Sequence, residues 1–216
     1  MKISAAIFDM DGTLTDSMCY WAQMCSMLVR SCGKEPADDL DRRMKGKSFE
    51  QIALIFDNEY GIRIPRHEVN DAMNAIMADI YDTIVVPKPG VVELLELFKA
   101  RDVKMCVATM TDFFLAEKLL TRLNLRDYFS EIFTCQMVGA GKETPVIYNA
   151  SLEHLGTKRE ETPVFEDALY AMRSAKAAGF PVVAIYEATF DDEQPKIREL
   201  ADVYIEDYRR DSHKLF

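Results

Sequence analysis

Ala5-Ala6-Ile7-Phe8-Asp9-Met10-Asp11-Gly12-Thr13 is an unbroken apolar run that stops on two aspartates and a turn glycine. Four consecutive apolar residues suit a strand covered on both faces rather than one that alternates between core and solvent. The predicted strand, Ile3 to Phe8, therefore delivers the Asp9 carboxylate to the mouth of a buried sheet, and Asp11-Gly12 turns the chain away. Taken alone, Asp-x-Asp-Gly is also a solvated turn or, loosely, a calcium loop. The calcium version fails on spacing, because no third ligand precedes Gly12 and the loop's closing glutamate is missing. Two carboxylates two residues apart at such a mouth repel one another strongly without a cation. Magnesium, which takes oxygen ligands and binds phosphate, meets that need.

Beyond the turn the pattern changes. Residues 16–84 carry helical spacing and few strand candidates: Trp21, Met24 and Leu28 on one stretch, then Ile52, Ile55 and Phe56, then Met73, Ile76, Met77 and Ile80. Gly33, Gly46 and Gly61 fall where helices can stop, which predicts a bundle of about four helices. From Pro87-Lys88-Pro89-Gly90 onward, helices alternate with strands. Helices are expected over 91–101, 113–123, 145–155 and 168–178, and strands over 103–109, 132–135, 163–165, 182–186 and 203–205. Strands separated by helix-length segments imply right-handed crossovers and a parallel sheet. The predicted fold is thus α/β, a doubly wound parallel sheet with a small helical-bundle domain inserted after its first strand. The expected boundaries are 1–15 with 86–216 for the sheet domain and 16–85 for the insertion.

Ligands of such sheets bind beyond the carboxyl ends of the strands. That rule selects Asp9 and Asp11, then Thr109, then Lys142 on a loop, then Glu166 and Asp167. Each has an ordinary alternative. Glu166-Asp167 follows Val164-Phe165 and precedes a helix, so it reads as a helix cap or as part of a metal site, and the two are compatible. A hydroxyl at Thr109, with backbone amides at the start of the next helix, suits a phosphate, yet Thr111 or Asp112 could simply cap that helix. Lys142 is placed to neutralise an anionic nucleophile and phosphate, or else is a surface lysine.

Composition sets outer bounds. The chain has 216 residues, 49% hydrophobic and 29% charged, enough for a real core, and a formal charge of -10. That balance argues against nucleic acid as a partner but not against a small phosphorylated substrate, since a pocket and a cation reverse the local field. No apolar run approaches the ~20 residues of a membrane helix, and the short N-terminal run is too brief for a signal peptide, so a cytoplasmic protein without a membrane partner is expected. Cys19, Cys25, Cys32, Cys106 and Cys135 form an odd set with no CxxC pair, which points to thiols in a reducing compartment rather than to zinc. A monomer is the default expectation.

Four segments in this order, FDMDGTLTDS (8–17), VATMTD (107–112), GKETP (141–145) and VFEDALYAMRSAKAAG (164–179), resemble the haloacid dehalogenase superfamily of phosphohydrolases over essentially the whole length. The helical insertion is similar to that family's helical-cap subclass, which includes sugar-phosphate phosphatases and β-phosphoglucomutase. The resemblance implies a magnesium-dependent phosphatase acting on a small organic phosphate, with Asp9 as the nucleophile that forms an aspartyl-phosphate. Asp11 is then the general acid and base, and Thr109 and Lys142 hold phosphate and balance charge. Magnesium is implied at Asp9, the backbone carbonyl of Asp11, and Asp167, with Glu166.

Two departures bear on this. The family's common Gly-Lys-Pro-x-Pro-Asp is Gly-Lys-Glu-Thr-Pro-Val here, so the usual aspartate is Val146. Trp21 stands where the mutase carries a histidine, which favours hydrolysis over phosphomutase action. Substrate contacts are expected from Thr109 and Met110, and from Lys45, Lys47 and Trp21 of the insertion. Lys45 and Lys47 also keep open the Schiff-base route of phosphonate-cleaving relatives. Hinges are expected near Asp16 and near residues 84–88. The alternatives are a β-phosphoglucomutase-like mutase and a catalytically silent phosphate-binding regulator.

Overall fold

The computed structural model describes residues 2–45 and 47–216, so the helix stop expected at Gly46 lies outside the described residues. The chain forms two compact units, one running to Ser17 and resuming over Val85–Phe216, the other Met18–Ile84.

The first unit is a six-stranded parallel sheet in the order β3-β2-β1-β4-β5-β6. Its strands are β1 (Ala5–Phe8), β2 (Lys104–Thr109), β3 (Ile132–Thr134), β4 (Val164–Glu166), β5 (Val182–Ile185) and β6 (Val203–Ile205). β1, β4 and β5 are buried at every position, as continuous apolar runs require. The order reverses direction between β1 and β4, so the crevice where ligands bind such sheets opens between the ends of those two strands. Asp9 follows one of them, and Glu166-Asp167 ends the other.

Two cores sandwich the sheet. On one face Ile7, Cys106, Ala108 and Val164 pack against Ile147 and Tyr148 of a helix over Val146–Leu155 and Leu169, Met172 and Ala175 of another over Leu169–Ala177. On the other, Phe8 stacks on Phe165 with ring centroids 4.3 Å apart, and Phe98 and Phe129 meet it edge-on or tilted at 6.1 and 5.9 Å. Phe98 comes from the helix Val91–Lys99, which starts after Gly90 at a φ of 89°. Two helices the sequence pattern does not announce, Gln194–Leu200 and Tyr208–Asp211, flank β6.

The second unit contains, among the described residues, α1 (Met18–Trp21), α2 (Met24–Ser31), α3 (Leu40–Met44), α4 (Phe49–Tyr60) and α5 (Val69–Thr83). This corrects the expected count of about four helices. The single stretch expected through Trp21, Met24 and Leu28 is broken between Trp21 and Met24, leaving Trp21 on a separate turn. Of the residues whose spacing in the sequence predicts these helices, Met24, Leu28, Ile52, Phe56, Met73, Met77 and Ile80 are buried, while Trp21, Ile55 and Ile76 are part-buried; Leu40 and Met44 join this core from α3. α4 is closed at both ends: Ser48 and Gln51 form a capping box, and Gly61 supplies the left-handed residue after the last turn. No helix among the described residues is long and apolar enough to cross a membrane.

Candidate active site

The strand ends bring four of the expected residues into one buried cluster. Lys142 lies on the loop before Val146–Leu155 and is 2% exposed; Asp9 is 7%, Glu166 1% and Asp167 3% exposed. The Lys142 ammonium donates to Asp9 Oδ1 and, at 2.6 Å, to Glu166 Oε1. A buried lysine needs such partners, because an unpaired charge in the interior is too costly to keep. Burial alone favours the neutral amine, but the negative charges of Asp9 and Glu166 outweigh it and hold the Lys142 proton more tightly than in water.

Glu166 has both oxygens engaged. Oε1 also accepts from the Tyr148 hydroxyl at 3.1 Å, and Oε2 accepts from the backbone amides of Asp167 and Ala168 at 3.2 Å each. Its cap-like role and its place in the charge cluster therefore coexist. Asp167 differs: Oδ1 accepts weakly from the Thr13 hydroxyl at 3.5 Å, while Oδ2 is buried with no hydrogen-bond partner.

Ligand oxygens of Asp9, Glu166 and Asp167 all lie within 4.8 Å of one another. Burial, partly opposed by Lys142 and reinforced by Glu166, pushes the Asp9 carboxyl up to about 7. Burial, then the charges of Asp9 and Glu166, lifts Asp167 well above the usual carboxylate range. Three buried carboxylates facing one lysine cannot all ionise without a further cation, and the orphaned Asp167 Oδ2 marks where one would be met. A hard dication with oxygen ligands fits this donor set.

Asp11 stands apart from the cluster. Its Oδ1 accepts from Ser17 at 2.6 Å and its Oδ2 from Thr111 at 2.7 Å, so two hydroxyls aim the carboxylate. Gly12, at a φ of 81°, permits the turn that returns the chain to this position. Thr111 thus spends its hydroxyl on Asp11, while Asp112, at the cap position of the helix Phe113–Arg122, makes no side-chain cap bond. Thr109, 1% exposed, accepts from the Thr111 amide at 3.0 Å, and the exposed Met110 takes a bond from the Tyr170 hydroxyl at 2.9 Å on its sulfur.

The three expected substrate contacts of the insertion, Trp21, Lys45 and Lys47, belong to the second unit. Trp21 donates its indole N–H to the Tyr81 hydroxyl at 3.1 Å within that unit. Lys45 and Lys47 are exposed, on either side of Gly46.

Sequence reasoning passed over Tyr148, Ser17, Thr111 and Thr13 as site residues. The last three sat inside quoted motifs, and their order relative to Asp9 and Asp11 was the available signal. Tyr148 lies within an amphipathic helix, where an aromatic reads as core.

Comparison with known proteins agrees with this geometry. A family model described as haloacid dehalogenase-like hydrolase matches residues 6–185. The chain is 31% identical over 177 residues to a phosphorylated carbohydrates phosphatase of Thermotoga maritima, covering 82% of each. It is 29% identical over 184 residues to hexitol phosphatase B of Escherichia coli, covering 82% of this chain and 81% of the other. Among solved structures, a candidate β-phosphoglucomutase of Thermotoga maritima superposes with a TM-score of 0.81 at 28% identity, covering 97% of this chain and 96% of that one.

Proposed function

This chain belongs to the haloacid dehalogenase-like hydrolases, as a phosphatase of that family, and from that membership we propose that it hydrolyses a sugar phosphate or similar small phosphate monoester through a phosphoryl-aspartate on Asp9. The observation that carries the reading is the division of labour between two aspartates two residues apart. Asp9 lies in the charge cluster against Lys142, and Asp11 lies outside it between two hydroxyls.

Asp9 is the nucleophile: it attacks phosphorus and the ester oxygen departs, splitting hydrolysis into two easier displacements. Lys142 neutralises charge beside Asp9 as the phosphoryl oxygens arrive. Asp11 protonates the leaving oxygen and then takes a proton from the water that attacks the phosphoryl-aspartate. Ser17 and Thr111 orient it for both steps. The Thr109 hydroxyl and the amides at the start of the following helix receive a phosphoryl oxygen. Magnesium held by Asp9, Asp167 and the backbone carbonyl of Asp11 would offset the phosphate's charge and so ease nucleophilic attack. Glu166, saturated by Lys142, Tyr148 and two amides, anchors this set. The Trp21 indole is engaged by Tyr81 and brings no acid–base group, which supports hydrolysis over transfer within a sugar bisphosphate.

The test is turnover of a panel of phosphorylated metabolites with magnesium, wild type beside Asp9→Asn. Hydrolysis that requires both the cation and Asp9, ranked toward sugar phosphates, is the expected result. Absence of turnover on every metabolite and aryl phosphate, under any divalent metal, would overturn the proposal.

A further inference from the structure

A further ion pair, largely withdrawn from solvent, lies in the sheet unit outside the cluster described above. Lys88 Nζ donates to Glu187 Oε2 at 2.7 Å and to the Tyr186 carbonyl at 3.0 Å, with side-chain exposures of 14% for Lys88 and 6% for Glu187. The other Glu187 oxygen accepts from the Thr189 amide at 3.2 Å. Lys88 is thereby fixed to the residues that directly follow β5, next to β4, the strand that Asp167 follows.

Lys88 also belongs to the segment by which the chain re-enters the sheet unit, and that segment pairs with the one by which it leaves. The Lys88 amide donates to the Leu14 carbonyl and the Asp16 amide to the Val86 carbonyl, each at 2.9 Å, and Thr15 bridges Pro87 in antiparallel fashion. From this ribbon three contacts run to the proposed chemistry. Thr15 donates to the Met10 carbonyl at 3.1 Å, Ser17 donates to Asp11, and Thr13 reaches Asp167. The ribbon is two short segments joined by an isolated bridge, with Thr15 also bridging Asp11 in parallel fashion, an arrangement too short to be more than marginal without added support. Lys88, largely withdrawn from solvent, is a charged attachment of this ribbon to the end of β5.

We propose that Lys88 is a positioning residue: its pair with Glu187 staples the ribbon to the sheet and so holds Ser17 against Asp11 and Thr13 against Asp167. The staple itself stands on geometry alone; its effect on turnover rests on the phosphatase reading.

Lys88→Met removes the staple but leaves Glu187 buried without its partner, which destabilises a protein for reasons unrelated to positioning. The Lys88→Met/Glu187→Leu double variant removes both charges and restores an apolar fit, and it is therefore the decisive one. Two readouts are taken: hydrogen-exchange protection of the amides at positions 16 and 88, and steady-state kinetics with a sugar phosphate and magnesium. In the double variant, protection at both amides drops at least about tenfold while the strands β1, β2 and β4 keep theirs. Turnover falls between about tenfold and a hundredfold with KM much less affected, the mark of misplaced catalytic groups rather than lost binding. Lys88→Arg, which keeps the charge, preserves protection and most of the turnover. A folded double variant with wild-type protection overturns the staple, and lost protection with unaltered turnover overturns its role in positioning. If wild type hydrolyses no phosphate ester, the phosphatase reading fails by itself, and the amides still decide the staple.

Discussion

Lys142 touches two carboxylates at once, Asp9 and Glu166, in a site nearly closed to solvent. Replacing it with methionine leaves both carboxyl groups buried without their cation, and breaking such a pair costs about 3 to 5 kcal/mol. Lys142→Met therefore lowers the urea midpoint of the metal-free protein sharply, and saturating magnesium recovers part of the loss. A midpoint unaffected by the substitution would mean that these carboxylates are not charged together in the folded state. The proton held by Asp9 gives a second prediction. Its folded carboxyl sits at about 7 against an ordinary value of 3.8, so below that ordinary value the group is protonated whether folded or not. As pH rises toward 7 the unfolded chain gives up this proton while the folded chain keeps it, and stability falls. Above about 7 no further change comes from this group. The loss is on the order of 4 kcal/mol. It is read as the difference in unfolding free energy between wild type and Asp9→Asn, in chelator, from pH 4 to pH 8. Magnesium competes with the proton and flattens the curve. A difference that rises across the window would show that Asp9 is ionised in the folded protein without metal.

The elements differ in how far the sequence alone discloses them. β1, β2, β4 and β5 are legible because an apolar run flanked by turn residues has few other ways to be buried, and the observed strands shift from expectation by only a residue or two. Gln194–Leu200 escapes notice because Gln-Pro-Lys-Ile-Arg-Glu-Leu has little apolar periodicity; Ile197 supplies its main buried apolar contact with the sheet unit. Tyr208–Asp211 is one turn long and polar on its exposed side, yet its tyrosine donates to the Thr13 carbonyl at 3.0 Å, in the turn that follows β1. No spacing rule connects residues 195 positions apart. The site follows the same division. Carboxylates and a lysine at strand ends are conspicuous, whereas the hydroxyls of Ser17, Thr111 and Tyr148 gain meaning only once the fold has set them beside an acid. Gly90 shows how tightly the unannounced elements are packed. A Cβ there would lie 2.7 Å from the Arg209 amide nitrogen, and the φ of 89° is already one that side chains resist. Gly90→Ala should cost about 2 to 4 kcal/mol, from backbone strain and overpacking together. Thermal unfolding checks this; a shift of a degree or less would show that Tyr208–Asp211 yields without resistance.

At the scale of the whole molecule, the helical unit is an insertion whose removal the sheet unit should survive. Every strand of the sheet and both of its cores lie outside residues 18–84. The aromatic cluster of Phe8, Phe98, Phe129 and Phe165 is complete without the insertion, as is the charge cluster around Lys142. The chain leaves and re-enters through the paired segments at Asp16 and Val86, so a short Gly-rich turn can close the gap without stretching either. A chain in which Met18–Ile84 is replaced by such a turn should fold cooperatively, with helix and strand signals reduced in proportion. It should still bind magnesium in calorimetry, because Asp9, Glu166 and Asp167 remain together. If the helical unit supplies the contacts that choose the substrate, slow hydrolysis of a generic aryl phosphate persists while the preference among sugar phosphates disappears. A shortened chain that folds and keeps the wild-type ranking of substrates would move the choice of substrate into the sheet unit. One that does not fold would show that the sheet's apparent self-sufficiency is false, and that the two units stand only together.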